Sequence, residues 1–388
     1  MMGSGMSVAK GSESTDLVQS VQRACQLLQA FRHEGEVLRL RELASRTSLH
    51  KATASRLVRT LEHEGLIERV GEDRIRSRVK VPPRRRFRIG FATRGVDTSF
   101  SQAVTASVQR AAAEAGTELV TVSSHRSPRA AVRNAETLVR EGVDLVIEFQ
   151  CHERVAPVIS SRFFERGIPV IAIEVPHPGA TFFGADNYKA GTIGGQAIAR
   201  WIKRHWSGQV SAVYLIEEDA AGPLAKLRVS GMLAGLRDIL PETANATTVE
   251  MDGKGAFEKT LEAVRLRLRK SHPVRTAVLA GNDPMALGAI RAFEECGRAG
   301  SCVVMGQNAT LEARMEMRRP GSPLVGSVAY FPERYGDEVL RLAGSILARQ
   351  PVPPAVFTKH ELITRENVDL IYALDHVLPE SLASPLML

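Results

Sequence analysis

From Arg88 onward, short apolar runs rich in β-branched residues take turns with stretches of helical periodicity, and this alternation leaves few folds open to the chain. The runs RIGFA, ELVTV, DLVIEF and VIAIE are separated by helical patterns over 101–115, 128–141 and 155–166. A second set follows, SAVYLI, TTVEM and TAVLA, with helical patterns over 224–239, 256–268 and 285–296. Strand and helix in strict alternation give a doubly wound parallel sheet. Two such sets predict two α/β lobes, and the 388 residues fit these plus one small further domain.

The small domain lies ahead of Arg88. Apolar positions at three- and four-residue steps from Leu17 to Phe31 (Leu17, Val21, Ala24, Leu27, Leu28, Phe31) mark a first helix. Arg41 to Ser45 gives a short second one, Thr47 to His50 supplies a turn, and Ala54, Leu57, Val58 and Leu61 mark a third. Two helices joined by a short turn, the second opening with small polar and basic residues, form a helix-turn-helix. The segment from Leu66 to Ser77 carries two short runs around a Gly-Glu-Asp turn, which predicts a two-stranded wing. On the third helix Lys51, Thr53, Ser55, Arg56 and Arg59 can all donate to bases or phosphates, with Lys51, Ser55 and Arg59 on one stripe. In the wing, Arg69, Arg74 and Arg76 can reach the backbone, and Arg74 joins the candidate DNA contacts.

Charge supports this division. Residues 1–86 hold 17 Lys and Arg against 10 Asp and Glu, leaving 34 against 33 for the rest, so +7 of the net +8 sits in the first quarter. That is the distribution expected if only this part meets a phosphate backbone. Arg78 to Arg88 combines two prolines with a basic run and reads as an extended connector, either solvated or adding phosphate contacts. Met1 to Thr15 is small and polar, with neither the apolar core of a secretory signal nor order expected, and no later stretch is apolar enough to span a bilayer. Cys25, Cys151, Cys296 and Cys302 show no disulfide or zinc spacing. The expected organisation is a tail over 1–16, a winged helix-turn-helix over 17–78, a linker over 79–87 and a cytoplasmic, two-lobed sensor over 88–378. Lobe 1 is expected to take 88–187 and 306–327, and lobe 2 to take 188–305 and 328–378.

The run VQSVQRACQLLQAF, followed by LRELASRTSLHKATASRLVRTLEHEGLIERV, resembles the N-terminal domain of IclR-type regulators over nearly all of 17–78. His50 stands where that family commonly has proline, and Ala52 where it has a hydroxyl residue. After the linker the chain departs from the family's usual effector domain. The pieces RIGFATRGVDTSF, EGVDLVIEF, RGIPVIAIE, FFGADNYKAG, LRVSGM, AGNDPMALGAIRAFEECG, VVMGQN and GSVAYFPERYG instead resemble sugar-binding periplasmic proteins and the effector domains of lactose-repressor-type regulators.

That second resemblance implies the two-lobed periplasmic-binding-protein type I fold, with ligand contacts at Phe100, Glu174, Arg228, Asn282, Asn308 and Tyr330. The chemistry agrees: a sugar is held by a stacking ring, a carboxylate accepting paired hydroxyls and a guanidinium fork at strand ends. Relatives commonly have Arg after the acidic residue, Asp at the place of Asn308 and Gln at that of Tyr330; here Val175, Asn308 and Tyr330 stand there, predicting fewer charges and one more aromatic ring. Plainer roles are open as well, with Glu174 in a surface loop, Arg228 on a helix face and Asn282 as a helix N-cap. Asp186, Asp283 and Gly191 read as structural.

Taken together, the sequence predicts a ligand-responsive regulator, a repressor by family precedent, that binds operator DNA and a sugar or polyol effector as a homodimer. Lobe crossings are expected near Asp186, Gly306 and Ser327. Two other classes share parts of this pattern, a cytoplasmic α/β enzyme and a transport-type solute receptor with a DNA-binding appendage. Gly191 to Gly195 (GTIGG) lacks the GxGxxG spacing and reads as helix packing, and no GxSxG or HExxH occurs, so no cofactor, metal or catalytic group is expected.

Overall fold

The computed structural model describes residues 18–31, 35–71, 73–79, 87–373 and 375. The expected tail and most of the linker, with Pro82 and Pro83, lie outside the described residues, as do Leu17 and Glu72. Two compact units are present, divided between Arg86 and Phe87.

The first unit runs α1 (Gln19–Gln29), β1 (Val37–Arg39), α2 (Leu40–Thr47), α3 (Lys51–His63), β2 (Ile67–Arg69) and β3 (Arg74–Ser77). Leu27, Phe31, Leu43, Ala54, Val58 and Leu61 pack beneath Ile67 and Ile75 of the wing in one core. Ser48 ends α2 in the left-handed region at φ 54°, which makes the sharp turn into α3. β1 was not anticipated; it pairs antiparallel with β3 and turns the two-stranded wing into a three-stranded sheet.

The second unit begins with β4 (Arg88–Thr93), α4 (Ser99–Glu114), β5 (Glu118–Ser123), α5 (Pro128–Arg140), β6 (Leu145–Phe149), α6 (Ala156–Phe164), β7 (Val170–Ile173) and β8 (Thr181–Gly184). It continues through α7 (Asn187–Trp206), β9 (Ala212–Glu217), α8 (Pro223–Ile239), β10 (Thr247–Asp252), α9 (Phe257–Lys270), β11 (Thr276–Ala280), α10 (Asp283–Glu295), β12 (Cys302–Asn308), α11 (Leu311–Arg318) and β13 (Leu324–Ala329). The last elements are α12 (Tyr335–Leu347), β14 (Ala355–Phe357), β15 (Glu361–Ile363) and α13 (Val368–Ile371). One six-stranded sheet has the order β14-β8-β7-β6-β4-β5, the other β10-β9-β11-β12-β13-β15. Pairing is parallel throughout except between β13 and β15.

Because the strands are apolar on both faces, each sheet carries two cores. Phe91, Ile147 and Phe183 face Val104, Tyr335 and Val339 of α4 and α12, whereas Val146 and Val170 face Leu138 and Phe163 of α5 and α6. In the second lobe Tyr214, Val278 and Val304 meet Phe293, and Leu215, Leu279 and Met305 meet Ile198 and Met232.

The pairing corrects the expected lobe boundaries. β12 and β13 belong to the second sheet, so 306–327 is part of lobe 2, while α12 and β14 return to lobe 1. The chain therefore crosses between lobes at 185–186, 330–334 and 358–360. Of the three expected crossings the one near Asp186 matches; Gly306 and Ser327 are interior strand residues of lobe 2. An apolar strand gives no sign of which sheet it joins, which is why 306–327 was misassigned. Among the described residues no helix is long and apolar enough to cross a membrane.

Candidate functional site

The carboxyl ends of the strands of both lobes border a solvent-open cleft. Lobe 1 contributes Arg94 and Phe100 after β4, Gln150 and Cys151 after β6, and Glu174 and Val175 after β7. Lobe 2 contributes Glu217 and Glu218 at the end of β9, Lys226 and Arg228 from the first turns of α8, Asn282 after β11, and Asn308 at the end of β12.

Arg228 organises the centre. Its Nη2 donates to Glu174 Oε2 at 2.6 Å, its Nε to Asn187 Oδ1 at 2.5 Å and its Nη1 to the Gly281 carbonyl at 3.4 Å. The guanidinium lies 5.1 Å from the centroid of the Tyr330 ring. On the other side, Glu174 Oε1 accepts from Tyr335 Oη at 2.6 Å and from the Ala185 amide at 3.2 Å. Both carboxylate oxygens of Glu174 are therefore engaged within the protein, so it holds Arg228 across the lobes. Burial, together with the neighbouring Glu174, pushes the Tyr335 hydroxyl well above its ordinary range and keeps it a donor. Glu174 and Asn308 have φ of 62° and 101°, left-handed conformations that cost non-glycine residues about 1–3 kcal/mol and gather at binding sites.

Five of the six expected ligand residues border the cleft: Phe100, Glu174, Arg228, Asn282 and Asn308. Phe100 meets Phe149 and Tyr335 edge-on, at centroid distances of 6.4 and 6.0 Å. Asn282 caps α10, its Oδ1 accepting from the Met285 amide at 2.9 Å, while its Nδ2 reaches the Gly255 carbonyl only at 3.4 Å. Tyr330 is not on the cleft wall. It is 1% exposed, donates to Gln307 Oε1 at 2.7 Å and supports Arg228 from behind.

Arg94, Gln150, Glu217 and Glu218 also border the cleft. Position at strand ends accounts for them: Arg94 follows β4, Gln150 follows β6, and Glu217 and Glu218 stand at the end of β9. Glu218 is tied to the opposite lobe, since Arg126 Nη2 donates to its Oε1 at 3.0 Å, and Ser99 Oγ donates to Glu312 Oε2 at 2.7 Å in a further link between lobes. Glu148, inside β6, is absent from the cleft lining. Its carboxylate is buried with neither oxygen hydrogen-bonded, and burial raises its pKa well above the ordinary value.

On the first unit, α3 buries Ala54, Val58 and Leu61 and leaves Lys51, Arg56 and Arg59 exposed, with Thr53 and Ser55 half-buried. Ion pairing divides the basic residues. Arg69 pairs with Glu62, and Arg76 and Arg78 share Glu68, whereas Lys51, Arg56, Arg59 and Arg74 have no carboxylate partner among the described residues. The sequence had grouped Arg69 and Arg76 with Arg74; their carboxylate neighbours come from helix-to-strand and strand-to-strand pairing that spacing alone does not reveal.

Residues 20–71 match the IclR helix-turn-helix domain and residues 89–351 the family described as periplasmic binding protein domain. A D-ribose/D-allose-binding protein of Pseudomonas aeruginosa is 27% identical over 202 residues, 50% of this chain and 60% of that protein, which is less than two thirds of its length. The ribose import binding protein RbsB of Bacillus subtilis is 23% identical over 73% of this chain and 89% of its own. Among solved structures, a solute-binding protein of an ABC transporter from Mycobacterium smegmatis with bound glycerol superposes with a TM-score of 0.66 at 22% identity, covering 73% of this chain and 96% of that one. Another, from Bacillus halodurans with bound myo-inositol, gives 0.62 at 20% identity, covering 74% and 98%. At these identities the structures speak for the fold. The chain belongs to the periplasmic binding protein domain family and carries an IclR helix-turn-helix domain at its N-terminus.

Proposed function

We propose that this protein is a transcriptional regulator of the cytoplasm that binds operator DNA through α3 and the wing and a sugar or similar small polar metabolite in the interlobe cleft. The observation that carries the proposal is the fusion itself: a DNA-binding family domain precedes a solute-binding family domain in one chain. Lys51, Thr53, Ser55, Arg56 and Arg59 of α3, with Arg74 of the wing, are the proposed DNA contacts; the unpaired cations among them suit phosphates and base edges. Phe100, Arg228, Asn282 and Asn308 are the proposed ligand contacts, with Glu174 and Tyr330 holding Arg228 in place. Both relatives named above as ribose binders support a polyhydroxylated ligand.

In the proposed mechanism, ligand held between Arg228 of one lobe and Phe100 of the other fixes the angle between lobes across the three crossings. In a homodimer this angle sets the spacing of two winged helices on two operator half-sites. Ligand then changes DNA affinity by a coupling of about 1–3 kcal/mol, in the direction of release for a repressor. Reciprocal variants test the division of labour. Arg59→Ala is expected to weaken operator binding and leave ligand affinity intact. Arg228→Lys keeps a charge beside Glu174 but loses the fork, so it is expected to abolish ligand response while the protein still binds DNA. Equal loss of both activities in both folded variants refutes the proposal.

A further inference from the structure

The cleft is rich in unmatched donors and has no unmatched carboxylate. Three carboxylates line it, and each is in an ion pair: Glu174 has Arg228 at 2.6 Å, Glu217 has Lys226 at 3.3 Å and Glu218 has Arg126 at 3.0 Å, Lys226 being shared with Asp219 at 2.6 Å and Arg126 with Asp97 at 3.4 Å. Of the three lining cations, Lys226 and Arg228 are the partners just named. The third, Arg94, has no ion pair with any described residue, and its Nε is buried without a hydrogen bond. Beside it, Gln150 is 3% exposed; its Oε1 accepts from the His152 amide, which leaves Nε2 as a buried donor with no partner. These two groups are neighbours by register, because Thr93 pairs with Phe149 where β4 and β6 run side by side. A neutral polyol could satisfy such donors one hydroxyl at a time, but it gives the Arg94 guanidinium, which is in ion-pair contact with no described carboxylate, no counter-charge of its own. Asn308 adds no negative charge at the end of β12.

We infer that the effector carries an oxyanion, a carboxylate or a phosphate, received by Arg94 and Gln150 on the first-lobe wall of the cleft. The ligand class is then a sugar acid or a phosphorylated sugar. This rests on the reading of the cleft as a sugar-type effector site. Planar, forked donation from a guanidinium together with an amide N–H suits either anion.

The test is calorimetric titration of the full chain with matched sets: ribose, allose, arabinose, fructose and myo-inositol, each beside its carboxylate and phosphate derivatives where these exist. The expected result is a tightest ligand that is anionic and binds at least tenfold more tightly than its neutral parent. Comparing the carboxylate with the phosphate arm identifies the anion. Arg94→Gln should reduce that ratio to threefold or less, and Asn308→Asp, which adds a carboxylate opposite, should reduce it as well. A neutral compound as the tightest ligand, or a ratio unmoved by both variants, overturns the inference while leaving the sugar-type cleft standing. No binding by any member of the panel overturns both.

Discussion

Gly191 and Gly195 on α7, and Gly231 and Gly235 on α8, let the two helices touch backbone to backbone. A Cβ built on Gly191 would lie 2.1 Å from the Arg228 carbonyl oxygen, and one on Gly195 would lie 2.0 Å from that of Met232. Since side-chain carbons essentially never come within 3.0 Å of such an atom, Gly191→Ala must drive α8 away by roughly 0.9 Å. Alanine gains about 1 kcal/mol of helix propensity over glycine, but overpacking against backbone costs about 3 kcal/mol, for a net loss of roughly 2 kcal/mol. Gly344 is the control: it lies inside α12, and its Cβ would meet nothing within 4 Å. Gly344→Ala is therefore expected to stabilise the protein by about 0.5–1 kcal/mol. Urea unfolding followed by far-UV circular dichroism compares the two, and tryptophan emission adds a local probe because Trp201 and Trp206 both lie in α7. Arg228 rides on α8, so Gly191→Ala should also weaken ligand binding, as a shift of this size exceeds the ~0.5 Å tolerance of a built site. If Gly191→Ala stabilises the protein as Gly344→Ala does, the close helix approach does not exist and Arg228 is not positioned in this way.

Three further outcomes are expected. Glu174→Gln leaves the Arg228 guanidinium buried without a counter-charge and should cost about 3–5 kcal/mol in unfolding free energy; a loss below 1 kcal/mol would mean that solvent already screens the pair. Burial holds the Glu148 carboxyl protonated above its ordinary pKa, so its contribution to stability is complete at pH below the ordinary carboxylate range and declines as pH rises towards the folded value. Denaturation of Glu148→Gln should accordingly show an advantage over the parent that widens from pH 5 to pH 8, and a constant difference contradicts this. In the wing, Arg74→Ala should weaken DNA binding more than Arg76→Ala, because Arg76 is already engaged by Glu68; fluorescence anisotropy with equal losses for the two variants would refute that distinction.

Sequence alone carried the fold class and most elements, because a strand buried on both faces reads as an unbroken apolar run and helices show their caps. Asn282 before Asp-Pro-Met is such a cap, and its side chain accepts from the Met285 amide in the first turn. The resemblance to sugar-binding periplasmic proteins likewise led to Glu174, Asn282 and Asn308. Three things were beyond its reach. The three-residue β1 is too short to show a period. Assignment of 306–327 to a lobe depends on pairing between strands that are equally apolar. The charge balance of the cleft depends on partners far apart in sequence, such as Arg126 with Glu218 and Arg228 with Glu174, so the unpaired state of Arg94 emerges only when the lobes are assembled.

Binding of the full chain to DNA flanking its own coding region, measured by anisotropy across a salt series with and without the tightest-binding cleft ligand, tests most directly the claim that a metabolite governs DNA contact. The prediction is affinity that falls steeply with salt, each neutralised phosphate contributing a log-log slope of about −0.9, and a ligand-induced change of at least fivefold that Arg228→Lys removes. Salt-insensitive binding, or DNA affinity that stays the same when the cleft is saturated, contradicts the account.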